Sequence, residues 1–151
     1  MIRDDIKAAL VTSMKAGDKA RTATIRLIQA AIKNRDIELR TSAAPADDDS
    51  MVTEVLQKMV KQRRESISLY EQGGRHELAG AEQAEVAVIE GFLPAQMSDD
   101  EAKAAIDGIV AETGASSVKD MGRVMAEVKA RYAGKVDMAR ASALVKARLS
   151  A

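Results

Sequence analysis

The sequence is poor in the residue types on which most active sites depend. Among 151 residues there is no cysteine and no tryptophan, and there are one phenylalanine, two tyrosines, two prolines and one histidine. Without cysteine there is no disulfide, no thiolate nucleophile and no thiolate-bound zinc. That absence fits a reducing compartment, and the charged start Arg3-Asp4-Asp5 leaves no room for an apolar leader, so a cytoplasmic protein is expected. The lone His76 cannot build a multi-histidine metal centre, no HExxH occurs, and its place just before a helix marks it as a surface residue. Neither GxxxxGK[ST] nor GxGxxG is found, so no phosphate-cradling glycine loop is expected. No apolar run approaches the roughly 18 residues of a membrane span. The apolar stripes are also cut at short intervals by helix caps, as in a bundle rather than a membrane-surface helix.

What is present favours helices. Apolar residues make up 46% of the chain, and with so few aromatics the core falls to Ala, Leu, Ile, Val and Met. Ile2, Ile6, Leu10 and Met14 step by four along a first helix that stops near Gly17. Asp18 is placed to cap a second helix with Ile25, Ile28, Ile32 and Leu39 inward and Arg21, Arg26, Lys33 and Arg35 at its borders. Residues Thr41–Ser50 lose periodicity and read as a loop. A third helix runs from about Met51 to Gln72, with Val55, Leu56, Met59, Arg63, Ile67 and Tyr70 inside and Lys58, Lys61, Gln62 and Arg64 outside. A fourth, from about His76 to Phe92, carries Leu78, Ala81, Val86, Val88 and Ile89 inside and Glu77, Glu82, Glu85 and Glu90 outside. Gly91 and Pro94 break the chain there, and Phe92 with Leu93 is placed to plug a seam between packing units. Ser98 and Glu101 form a capping-box pattern for a fifth helix closed by Gly114. Ser117 opens a sixth, Gly134 stops it, and Asp137 caps a seventh. No alternation is long enough for a sheet. The expected fold is all-α: an N-terminal domain of about four helices over residues 1–94 and a three-helix C-terminal domain over 95–151.

Several constellations invite a chemical reading and do not sustain it. Asp47, Asp48 and Asp49 are adjacent, whereas a calcium loop needs spaced ligands and a glycine turn, so they read as a solvated helix start. Ser116 and Ser117 lack the glycine-rich setting and partner of an amidase nucleophile and read as capping residues. Glu82 and Glu85 share a helix face, but a di-iron bundle needs Glu-x-x-His on two helices and the chain has none. No catalytic residue, cofactor or metal site is assigned.

Charge is more suggestive. Residues 1–114 hold 15 basic and 20 acidic side chains, net −5, while residues 115–151 hold 8 basic and 3 acidic, net +5. Lys119, Arg123, Lys129, Arg131 and Lys135 are the candidate phosphate contacts in that basic end. Met121, Val124, Met125 and Val128 form the apolar face of the same helix. Gly122 lies within it at a cost of about 1 kcal/mol relative to alanine. Close approach of another helix, or of a ligand backbone, is expected to compensate.

Some stretches are specific enough to carry a resemblance. Ile25-Arg26-Leu27-Ile28 and Ala31-Ile32-Lys33-Asn34 are followed by KQRRESISLYEQGGRHELAGAE, then Glu85 and FLPAQMS. Further on come Gly114, the run Asp120-Met121-Gly122-Arg123-Val124-Met125, and Gly134 with Asp137. The chain resembles the YqeY family (GatB/YqeY), whose C-terminal part is similar to the tail of the GatB component of the tRNA-dependent aspartyl/glutamyl amidotransferase. The resemblance spans essentially the whole chain, with one departure: Asp137 is followed by Met138 where family members often have glycine. It implies an all-helical protein with a tail-like domain that contacts tRNA, and the activity attached to the family is carbon–nitrogen ligase activity with glutamine as amido-N-donor. The implied partners are tRNA and an amidotransferase or aminoacyl-tRNA synthetase. The catalytic part of the GatB component has no counterpart in these residues, so an accessory role is expected. The rival expectation is an adaptor that recruits a protein through the N-terminal helices, favoured if an apolar patch at Phe92 and Leu93 stays exposed.

Overall fold

A computed structural model describes residues 1–42 and 47–150. Among them the fold is all-α, with seven α-helices, one 3-10 turn and no strand. The chain divides into two compact units, Met1–Leu93 and Pro94–Ala151.

The first unit begins with α1 (Ile2–Lys15) and α2 (Lys19–Glu38), joined at Gly17, whose positive φ of 70° suits a residue without Cβ. The Asp18 carboxylate accepts the Arg21 N–H at 3.0 Å and so closes one of the orphan donors of α2. The expected loop over 41–50 lies partly outside the described residues, at 43–46. Its acidic end is helical: α3 (Asp48–Gln72) starts about one turn before the apolar periodicity does. The reason is local, because Asp47 accepts the Ser50 N–H at 2.7 Å, and Asp48 and Asp49 complement the positive end of the helix dipole. After Gly73 and Gly74, α4 (His76–Glu90) returns along α3.

Ile6, Ile25, Ile28, Ile32, Met51, Val52, Val55, Leu56, Met59 and Ile89 form the core of this unit. Burying each such aliphatic side chain contributes about 1.5–3 kcal/mol. Three inward assignments need correction. Met14 is 53% exposed, because steps of four drift by about 40° each and carry it off the stripe. Ser13 is buried instead, its hydroxyl 2.8 Å from that of Thr22. In α4 the buried positions are Ala79, Val86 and Ile89, while Leu78 and Ala81 face outward. Phe92 and Leu93 pack against the first core, with the Arg21 guanidinium 5.9 Å from the Phe92 ring centre.

The second unit holds α5 (Asp99–Thr113), a 3-10 turn (Val118–Asp120), α6 (Met121–Tyr132) and α7 (Met138–Ser150). The capping box at Ser98 and Glu101 forms, and Gly114 ends α5 in the left-handed region at φ 67°. Ser117 opens the 3-10 turn rather than α6 itself. Ala102, Ile106, Ile109, Val110, Val124, Val128, Val136, Ala141, Val145 and Leu149 form a separate core, with Met121, Met125 and Tyr132 partly buried against it.

Candidate functional site

The five basic residues singled out by sequence are all exposed, but they are not equivalent. Arg131 donates to Glu112 at 2.7 Å and lies 3.2 Å from Glu127. The pairing holds the Glu112 carboxyl below the usual range and raises Arg131. Arg123 donates to Asp120 at 3.1 Å. By contrast Lys119, Lys129 and Lys135 make no ion pair among the described residues. On α6, with 100° per residue, Arg123 and Lys129 lie about 120° apart and Arg131 falls on the flank toward α5. The five do not form one face.

The remaining arginines of this unit are also paired. Arg140 meets Asp99, and Arg148 meets Asp107 at 2.8 Å. Three carboxylates of α5 therefore neutralise arginines of α6 and α7. Counted over the whole unit, residues 94–151 carry 9 basic and 8 acidic side chains, net +1. The segmental excess of +5 shrinks because the fold brings an acidic helix against a basic pair.

The turns that carry Lys119 and Lys135 are well tied. The Asp120 carboxylate accepts the backbone N–H groups of Ser116 and Ser117 at 2.9 and 3.2 Å, which lowers its pKa. The serines thus supply backbone donors and Asp120 is the acceptor, so it is the aspartate that organises the turn beneath Lys119. On the other side, the Gln96 side-chain amide donates to the Gly134 carbonyl at 2.7 Å, and the Met97 N–H donates to the Lys135 carbonyl at 2.8 Å. Asp137 caps α7 by accepting the Ala139 N–H at 3.3 Å. Met138, the departure from the family pattern, is half-buried against the second core, so the side chain is accommodated by packing. At Gly122 an added Cβ would meet nothing within 4 Å. The expected close approach of a helix is therefore absent among the described residues, and its position at the start of α6 keeps the cost of glycine small.

The first unit holds the strongest ion-pair clusters, and sequence reasoning missed them. Arg3 makes two hydrogen bonds to Asp36, at 2.9 and 3.0 Å, and two to Asp48, at 3.2 and 2.8 Å. Asp36 is held below the ordinary carboxylate range and Arg3 is raised. Asp49 accepts the Ile2 N–H at 2.9 Å. The three aspartates read as a solvated cluster are thus a cap, a clamp and an acceptor that tie α1 and α2 to the start of α3. Likewise Arg63, only 15% exposed, donates to Glu85 at 2.8 Å and lies 3.9 Å from Glu82. Those two glutamates face the arginine of α3 rather than solvent alone. The signal was available in the inward position of Arg63, which demands an anionic partner. Among the described residues no group of three or more His, Cys, Asp or Glu side chains is arranged to hold a metal ion. No described helix is long and apolar enough to cross a membrane.

Residues 3–149 match the family described as Yqey-like protein. The chain belongs to the YqeY-like family. Curated relatives include a protein of Pyrenophora tritici-repentis named altered inheritance of mitochondria protein 41, mitochondrial, at 32% identity over 83% of this chain and 70% of that protein. Proteins of the same name from Eremothecium gossypii and Saccharomyces cerevisiae are 34% and 28% identical over 60% and 62% of this chain. The chain spans only 48% and 46% of the length of those two relatives. Their names overturn the expectation of a cytoplasmic protein, which rested on the missing cysteine and leader. A cysteine-free composition is compatible with more than one reducing compartment, so it does not select the cytoplasm.

Proposed function

We propose that the chain is a non-catalytic accessory protein that binds tRNA through its C-terminal unit, in the manner implied by its likeness to the tail of the amidotransferase GatB component. The observation that carries the reading is the set of three exposed, unpaired lysines, Lys119, Lys129 and Lys135, on a unit whose arginines are internally neutralised. Lysine is a compact point charge suited to phosphate, and shape-based recognition of a folded RNA does not require aromatic stacking. Any link to carbon–nitrogen ligase chemistry then lies in association with an amidotransferase or aminoacyl-tRNA synthetase, with no catalytic residue assigned in this chain.

A salt titration of tRNA binding, with double-stranded RNA as competitor, tests the proposal. Each phosphate contact releases counterions, so the logarithm of affinity is expected to fall by roughly 0.7–0.9 per contact per decade of salt. Preference for tRNA with that steep dependence supports the reading. Equal binding to every polyanion, or none, rejects it. Glutaminase activity in the highly purified protein would reject the non-catalytic part. The adaptor reading gains nothing from Phe92 and Leu93, which are half-buried against the first core.

A further inference from the structure

A long run of basic charge lies on α2, ahead of Asp36 and Glu38 at its end. From Lys19 to Arg35 this helix carries five basic side chains and no acidic one. Lys19, Arg26 and Lys33 recur at steps of seven, about 10.5 Å apart along the axis with a drift of only about 20° per step. They therefore share one face, centred about 130° round the helix from the buried Ile25, Ile28 and Ile32, and all three are exposed. None of the three has an ion-pair partner among the described residues. Ala23, Ala30 and Asn34 lie alongside them and are also exposed, so that flank of the face is low and admits a chain of sugar and phosphate.

A second feature lies beside it. Between α1 and α2 runs a groove of about 260 Å³ lined by Lys7, Gln29, Lys33 and Asp36, with Arg3 and Ile6 at its inner side. The one carboxylate in that lining, Asp36, is already engaged by Arg3, which leaves Lys7 and Lys33 as the uncompensated charges. We propose that this face of α2, with Lys7 across the groove, is a second RNA-docking surface that binds the phosphate backbone of a structured RNA. The proposal rests on the RNA-binding reading above but places contacts in the other unit. The occupant follows from charge complementarity: regularly spaced cations over about 21 Å match a polyanion of regular phosphates. A membrane would demand a bulky apolar face, and here only Leu27 and Ile37, 47% and 46% exposed, flank the basic line.

The test compares two variants of the full chain by salt titration of tRNA binding. One is Lys19→Gln/Arg26→Gln/Lys33→Gln, which keeps good helix formers at exposed positions. The other is Lys119→Ala/Lys129→Ala/Lys135→Ala. The α2 variant is expected to lose roughly tenfold or more in affinity at moderate salt and to lower the salt slope by about two to three contacts. Circular dichroism and melting temperature are expected to match the parent, and the charge-preserving Arg26→Lys variant should bind as the parent does. An α2 variant with parent-like affinity and slope, beside a weakened tail variant, overturns this surface and leaves the tail reading standing. Two parent-like variants overturn both site assignments. A parent that ignores tRNA but binds polyglutamate or phosphatidylglycerol vesicles through α2 overturns the RNA assignment in both units.

Discussion

The two units hold nearly balanced charge and use it differently. Residues 1–93 carry 14 basic and 15 acidic side chains, net −1, and residues 94–151 are net +1. In the first unit two arginines turn inward as clamps between helices: Arg63 is 15% and Arg3 31% exposed. The second unit pairs its arginines on the surface, each 42% exposed or more, with carboxylates of α5 or neighbouring turns. Partly buried pairs hold elements together because screening by water and salt is weak there, whereas surface pairs mainly shape the outer potential. Hence the first unit adds partly buried charge clamps to its apolar core and leaves one basic helix face without ion pairs. The second rests on its apolar core with ion pairs only at the surface, and these leave only lysines unneutralised.

The largest effects should come from the separate cores. Truncating Ile28→Ala in the first unit or Ile109→Ala in the second is expected to destabilise by about 2–5 kcal/mol. If the units fold independently, hydrogen exchange should accelerate only in the unit that carries the change, and acceleration across both would make them one cooperative body. Next comes Arg63→Ala, which leaves Glu82 and Glu85 without their cation in a half-buried site. A loss of about 2 kcal/mol in urea unfolding is expected. The corresponding surface change Arg148→Ala should shift the midpoint little, and equal losses would erase the distinction between the units.

A smaller effect follows from Asp36. Its folded pKa is depressed by the Arg3 hydrogen bonds, so the stabilisation is present above the ordinary carboxylate value near ~3.9 and is lost as pH falls through the lower folded value. The stability gap between the parent and Arg3→Gln should therefore be full above about pH 4 and close at more acidic pH. A gap that persists unchanged into acid would assign the role of Arg3 to packing. The smallest change in stability, and a useful one for binding, is expected from Asp107→Asn/Glu112→Gln. Releasing Arg148, and leaving Arg131 with Glu127 alone, should leave the melting temperature nearly unchanged while steepening the salt dependence of RNA binding. An unchanged slope would show that this flank of the tail does not meet RNA.

Much of the site was invisible for a definable reason. Lys119 and Lys135 lie in the turns on either side of α6, while the exposure of Arg123, Lys129 and Arg131 was legible from helical periodicity around Val124 and Val128. Their partners were not, because Glu112 and Arg131 are nineteen residues apart and Asp107 and Arg148 forty-one. Arg3 with Asp36 and Asp48 is the same case in the first unit, at separations of 33 and 45.

The sequence by itself determined the helices, most of their ends and both apolar faces. Caps such as Asp18, the Ser98–Glu101 pair and Gly114 act within one turn of their own position, and a 3.6-residue period is a local property. Only the tertiary structure decided which charges remain available to a partner. Ion pairing depends on which helix faces which, and that is set by packing between segments far apart in the chain. The basic end became a nearly neutral unit when the acidic face of α5 met it, whereas Lys19, Arg26 and Lys33 of α2 have no ion-pair partner among the described residues.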